Sequence, residues 1–142
     1  MTYATQQDLV DRFGTTELVQ LTDPAGLAIN TTTVARALAD ADAEIDTRIS
    51  ARYALPLASV PTVLVRVAAD LARYFLWDAR ATEQVRNRYK DATALLDKIG
   101  RGDVSVPGAA LLTPAAGSVA VLASAPSRQF SSSLLDGFGP AQ

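Results

Sequence analysis

The chain has 142 residues with 13 basic and 15 acidic side chains, a size that suits one domain or one domain with an appended arm. It has neither cysteine nor histidine, which excludes disulfides, thiolate metal sites and imidazole acid–base chemistry. The near balance of charge gives no polycationic surface for sequence-independent nucleic-acid binding, and an enzyme would have to work without the commonest general base.

The opening residues lack a basic region followed by an apolar run, so no secretory signal is expected. Thr5 and Asp8 have capping-box spacing, with an acid in place of the usual Glu or Gln. Leu9, Val10 and Phe13 then fall on one face of a short helix, and Gly14 suits the position just past its end. A second short helix is expected over residues 17–21, capped by Thr15 or Thr16, with Glu17 where the helix dipole favours an anion. Residues 22–26, TDPAG, are turn chemistry.

A long helix is expected from a cap at Asn30 or Thr31 to about Ala51. Val34, Leu38, Ala41, Ile45 and Ile49 form its apolar stripe. Asp40, Asp42, Glu44 and Asp46 alternate around it, which predicts a solvated acidic face rather than a hard-cation loop. Residues 53–80 are the most apolar stretch and hold the only tryptophan, Trp77. Its first part is punctuated by Pro56 and Pro61, with Ser59 a candidate cap. The following helix is apolar on nearly every side, so it is expected at the centre of the fold. Arg66, Asp70 and Arg73 share one narrow stripe on it and, with Trp77, are candidate subunit-interface residues. The run over residues 63–77 is too short to cross a bilayer and carries those three charges, so no membrane association is expected. A last helix is expected over residues 82–99 through Val85, Tyr89, Ala92, Leu95, Leu96 and Ile99, stopped by Gly100 and Gly102. The tripeptide Arg101-Gly102-Asp103 follows a helix stop and reads as the turn that ends it. Arg86, Arg88 and Lys90 read as a solvated face.

Composition changes after residue 100. Only four of the charged residues lie beyond it, with four of the seven prolines, and six of the eight glycines fall from Gly100 onward. Helical periodicity is lost, yet apolar residues persist. A disordered tail is ordinarily poor in apolar groups and rich in charge. This segment instead reads as an extended arm that orders against a partner, by short β-strands or by anchors set into pockets. Its candidate anchors are Val104, Val106, Val119, Val121, Leu122, Phe130, Leu134, Leu135 and Phe138. The expected fold is therefore all-α. Two short N-terminal helices and three longer ones form a bundle over residues 1–103, with an extended non-helical arm over residues 104–142.

The motifs Tyr3-Ala4-Thr5, Asp8-Leu9, Arg12-Phe13-Gly14, Glu17-Leu18 and Leu21-Thr22-Asp23 open a longer pattern. It continues through residues 39–49, Ser50-Ala51-Arg52-Tyr53, Leu55-Pro56-Leu57, Val60-Pro61 and Asp70-Leu71-Ala72-Arg73-Tyr74, then Val85, Arg88-Tyr89, Ala92 and Leu95. Over roughly residues 3–103 this pattern resembles the Mu-like bacteriophage head–tail connector family. The resemblance implies a non-enzymatic helical adaptor, and no cofactor or metal is expected. It implies a homo-oligomeric ring of about twelve copies, closed by heterologous contacts. Such a ring lies in the virion neck beneath the portal protein, is made in the host bacterial cytoplasm, and docks a tail-side stopper or tail-terminator protein. DNA passes through it only as cargo. The alternative is a small helical nucleic-acid-binding or regulatory phage protein, although the two short helices over residues 5–21 only imitate a helix-turn-helix. Gln20 is the single base-reading candidate on its second helix.

Overall fold

The structure, a computed structural model, describes residues 1–113. Five α-helices account for most of them: α1 Gln6–Phe13, α2 Thr15–Thr22, α3 Thr31–Ile49, α4 Thr62–Trp77 and α5 Glu83–Arg101. The fold is all-α. A 3-10 turn at Asp78–Arg80 links α4 to α5.

The local reasons for these elements are mostly visible in their ends. The Thr5 hydroxyl accepts the Asp8 N–H, and the Asp8 carboxylate accepts the Thr5 N–H, so the capping box is reciprocal. Asn30 Oδ1 accepts from the Thr32 and Thr33 N–H groups and starts α3. Thr82 Oγ1 accepts from Val85 N–H at the start of α5. Two expected caps are replaced. Gly14, not a threonine, precedes α2, and Pro61, not Ser59, precedes α4, each without a side-chain cap. At α4 Pro61 holds the cap position with its φ fixed at −65°, and its ring has no group to accept a first-turn N–H.

α4 lies at the centre, as its all-round apolarity requires, and packs on α3, α5 and the N-terminal pair. Leu64, Val67, Ala68, Ala69, Leu71 and Ala72 are fully or almost fully buried. Facing them are Val34, Ala41, Ile45 and Ile49 of α3, Leu96 and Ile99 of α5, and Leu9 and Leu18 of the short helices. The alanines of α4 let neighbouring helices approach closely, and the leucines fill the gaps between them.

α5 runs two residues further than expected, through Gly100 to Arg101. Gly100 is inside the helix because space demands it. A Cβ there would lie 2.6 Å from the carbonyl oxygen of Arg48 on α3. Gly102 is the true stop: it is left-handed, and its N–H bonds the Lys98 and Ile99 carbonyls.

The compact unit is Met1–Leu112, so residues 104–112 belong with the helices. Val106 is buried in the core, and its N–H donates to the buried Tyr53 hydroxyl at 3.0 Å. Ala54 N–H donates to Ala110 C=O and Leu112 N–H to Arg52 C=O, an isolated antiparallel bridge centred on Tyr53 and Leu111.

Candidate functional site

The residues expected to share one stripe on α4 part company in the structure. Arg73 turns toward α2 and makes a bidentate pair with Glu17, Nε to Oε1 at 2.6 Å and a second nitrogen to Oε2 at 3.0 Å. Trp77 Nε1–H donates to Glu17 Oε1 at 3.1 Å. The Arg73 guanidinium also lies 4.5 Å from the centre of the Phe13 ring. One carboxylate on α2 thus ties both α4 side chains, and Phe13 of α1 covers the pair. Arg73 and Trp77 are engaged within their own chain.

Arg66 and Asp70 face α5 instead. They line a cleft of about 300 Å³ between α4 and α5 with Val67, Arg88, Asp91 and Leu95. The Asp70 carboxylate is mostly buried there, 3.6 Å from the half-exposed guanidinium of Arg88. Burial pushes its carboxyl pKa up, against the opposing pull of Arg88 and Arg66. A carboxyl whose folded-state pKa is raised penalises the fold while it is ionised. The penalty is present above the folded-state pKa and is relieved as pH falls through it. Asp70→Asn removes the charge at the same shape. At pH 7 the variant is expected to match or exceed the parent in urea midpoint, and its advantage is expected to shrink as pH falls through the raised carboxyl pKa. A lower midpoint at pH 7 would mean that the two arginines outweigh burial.

The acidic residues of α3 are not simply a solvated face. Asp42 accepts the Tyr3 N–H at 3.0 Å, and Asp46 accepts the Tyr3 hydroxyl and pairs with the Met1 ammonium at 3.2 Å. Tyr3 is buried, and burial together with Asp46 pushes its phenol pKa up. Glu44 pairs with Arg48 at 2.9 Å and accepts the Tyr89 hydroxyl at 3.3 Å, while Arg48 also pairs with Asp97 of α5. Tyr89 stacks on Tyr74 with ring centres 4.1 Å apart. Only Asp40 of the four acids is exposed without a partner among the described residues. Helical spacing could not reveal this, because every partner except Arg48 is distant in sequence. Arg86 and Lys90 are exposed, and among the described residues Arg88 reaches only Asp70.

The candidate arm anchors divide. Val106 is packed inside its own chain. Val104 is partly exposed, and beside the bridge Leu111 and Leu112 are 56% and 46% exposed. Val119, Val121, Leu122, Phe130, Leu134, Leu135 and Phe138 lie outside the described residues. Leu27, just past the turn at residues 22–26, is the most exposed large apolar side chain of the described residues, at 86%.

The protein family described as "Bacteriophage Mu, Gp36" matches residues 3–123. The chain belongs to this family. It is 38% identical over 105 residues to "Mu-like prophage FluMu protein gp36" of Haemophilus influenzae, covering 73% of this chain and 74% of that protein. It is 36% identical over 118 residues to "Gene product J" of Escherichia phage Mu, covering 80% of this chain and 84% of that protein. This Gp36-family chain is thus a Mu-like phage protein. The family match extends past Asp103, the limit of the motif resemblance, and takes in the arm root and ten further residues. Many of the motif residues are structural in this Gp36-family fold. Tyr3, Ala4, Leu9, Tyr53, Leu57, Leu71 and Ala72 are buried, Thr5 and Asp8 form the capping box, and Arg73 holds Glu17.

Proposed function

We propose that this protein is a structural head–tail connector, which forms a ring below the portal, extends the DNA channel and docks the tail. The observation that carries the reading is how the described residues divide their polar and apolar groups. The charged side chains Glu17, Arg73, Glu44, Arg48, Asp46 and Asp97 tie helix to helix or helix to terminus within the chain. Apolar groups at the arm root, Val104, Leu111 and Leu112, are left exposed. A rigid helical body with apolar attachment points suits a protein whose work is assembly rather than bond chemistry. Membership of a Mu phage family supports the same reading. The proposed partners are further copies of this chain, the portal, and a tail-side stopper or terminator. The proposed location is the virion neck, and no catalytic role is proposed.

Electron microscopy in negative stain, with native mass spectrometry, tests this on the purified protein with and without its portal. Rings of about twelve copies, closed head to tail, are expected on the portal. Absence of any ring or portal complex would overturn the reading. A salt-dependent shift of duplex DNA in its place would favour the nucleic-acid-binding alternative.

A further inference from the structure

The connection between α2 and α3 is a built loop that holds a leucine out in solvent. Asp23 accepts backbone N–H bonds from Ala25, Leu27 and Ala28, and its own carbonyl accepts the Gly26 N–H at 2.9 Å. Buried Thr22 donates to the Leu18 carbonyl and accepts the Asn30 N–H at 3.0 Å, which fastens both ends. The Asp23 carboxylate is thus turned to the loop's own backbone. Leu27 projects from this frame at 86% exposure. Beside it is a cleft of about 360 Å³ lined by Thr15, Thr16, Val19, Gln20, Gly26 and Leu27, with no ionised side chain. From Leu18 to Ala35 the only charged residue is Asp23.

A single exposed leucine is ordinary on a protein surface. The neighbouring clefts show why this one differs. Four other clefts among the described residues each carry ionised groups: Asp70 with Arg88, Arg48 with Asp97, Glu17 with Arg80, and Arg36 with Asp40. An apolar segment seated on those would strip water from charges at a cost. The Leu27 cleft imposes no such cost. The chain also supplies a segment of matching chemistry. Residues 114–142 contain two charges, Arg128 and Asp136, and the apolar residues Phe130, Leu134, Leu135 and Phe138.

Position points to a second copy as the supplier, and the cross-linking test separates it from the same copy. The arm leaves the body after the bridge to Tyr53, just beyond the C-terminal end of α3. The Leu27 loop lies just before the N-terminal end of the same helix. A 19-residue helix separates them by about 28 Å at 1.5 Å per residue. A donor at one end and a receptor at the other is the arrangement that links identical copies head to tail. The reach is ample, since 29 extended residues span about 100 Å. We propose that the Leu27 loop and its uncharged cleft receive the 114–142 segment of a second copy. This rests on the connector reading, in that it gives the arm an assembly role.

The absence of native cysteine makes cross-linking a clean test. Full-length chains carrying Ala28→Cys are mixed with full-length chains carrying Ser133→Cys and oxidised, alone and in portal-bound rings. Disulfide heterodimers are expected at least tenfold faster than with chains carrying Ala94→Cys, an exposed position on α5. Adding Leu27→Asp to the Ala28→Cys chain is expected to remove that advantage. Heterodimers no faster than the Ala94→Cys control, or unaffected by Leu27→Asp, would overturn the proposal. In a chain carrying both cysteines, fast closure within one chain and no interchain product would overturn the second-copy assignment. Rings that form without this cross-link would defeat the docking and leave the connector reading standing. Cross-linking without any ring on the portal would do the reverse.

Discussion

Glu17→Ala is expected to lower folding stability by about 2–3 kcal/mol, the largest effect of any single charge removal in the helical body. The substitution deletes both limbs of the Arg73 pair and the acceptor of Trp77 Nε1–H together. It leaves a guanidinium that is only 14% exposed without its counter-ion. The pair retains some solvent contact, so the cost falls below the 3–5 kcal/mol typical of a fully buried pair broken on one side. In a unit of this size the loss corresponds to a drop of roughly 10–15 °C in melting temperature. Glu17→Gln keeps an oxygen for Trp77 and is expected to lose about half as much. Thermal unfolding by circular dichroism gives the size of the effect. Emission from Trp77, the only tryptophan, reports the local contact. A double-mutant cycle with Arg73→Ala is expected to show coupling of about 1–3 kcal/mol. Coupling near zero would mean that solvent and the Phe13 ring already satisfy Arg73.

Gly100→Ala is expected to destabilise the protein by up to about 2 kcal/mol, although alanine is the better helix former. Two effects oppose each other. Alanine gains less than about 1 kcal/mol from helix propensity, because Gly100 lies in the last turn of α5. Against this, its Cβ would sit 2.6 Å from the Arg48 carbonyl oxygen, so α3 and α5 must move apart. Overpacking of this kind costs about 1–3 kcal/mol. The Arg48 carbonyl is backbone within α3 and cannot swing aside, so the clash is expected to win. Gly102→Ala makes the useful contrast. Its Cβ would meet the Arg52 guanidinium, the end of a flexible side chain, and its cost comes mainly from the positive φ of 92°. The two variants therefore separate a packing requirement from a backbone requirement. Urea titration measures both, and a Gly100→Ala protein more stable than the parent would show that the helices separate freely.

Much of the fold follows from local patterns. The stripe Val34, Leu38, Ala41, Ile45 and Ile49 predicts which face of α3 is buried, because helical periodicity maps directly onto burial when one side meets a core. The Thr5–Asp8 box and the Asn30 cap are visible because their partners lie within three residues. The run over α4 marks the central helix because apolar side chains on nearly every side leave it no face for water. Gly100 shows where this reading stops. As a sequence signal it is a helix stop, and only the approach of α3 reveals that it is a helix residue chosen for its lack of a side chain.

The candidate surfaces were less legible. Arg66, Asp70 and Arg73 lie within one stripe by spacing, yet Arg73 goes to Glu17 and Asp70 toward Arg88, because two different helices flank α4 there. Asp42 and Asp46 look solvated until Tyr3 folds back across them. Val106 looks like a partner anchor until the Tyr53 hydroxyl holds its N–H in the core. Leu27 carried no periodic signal, because the apolar run Leu27-Ala28-Ile29 between the turn and the Asn30 cap is too short to show a period.

The sequence by itself determined the all-α class, the two short and three long helices, the central place of α4, and the abrupt change to a low-charge segment. Each of these is written in composition or in a spacing of three or four residues. It also carried enough of the Mu-like pattern for the family to be recognised. Only the tertiary structure decided which charges pair, where the helical unit ends, and which apolar groups remain outside. Those depend mostly on contacts between different elements, such as Glu17 with Arg73 and Tyr53 with Val106. Hydrophobic periodicity is silent about such contacts because it describes one element at a time, whereas pairing is settled by which elements pack together.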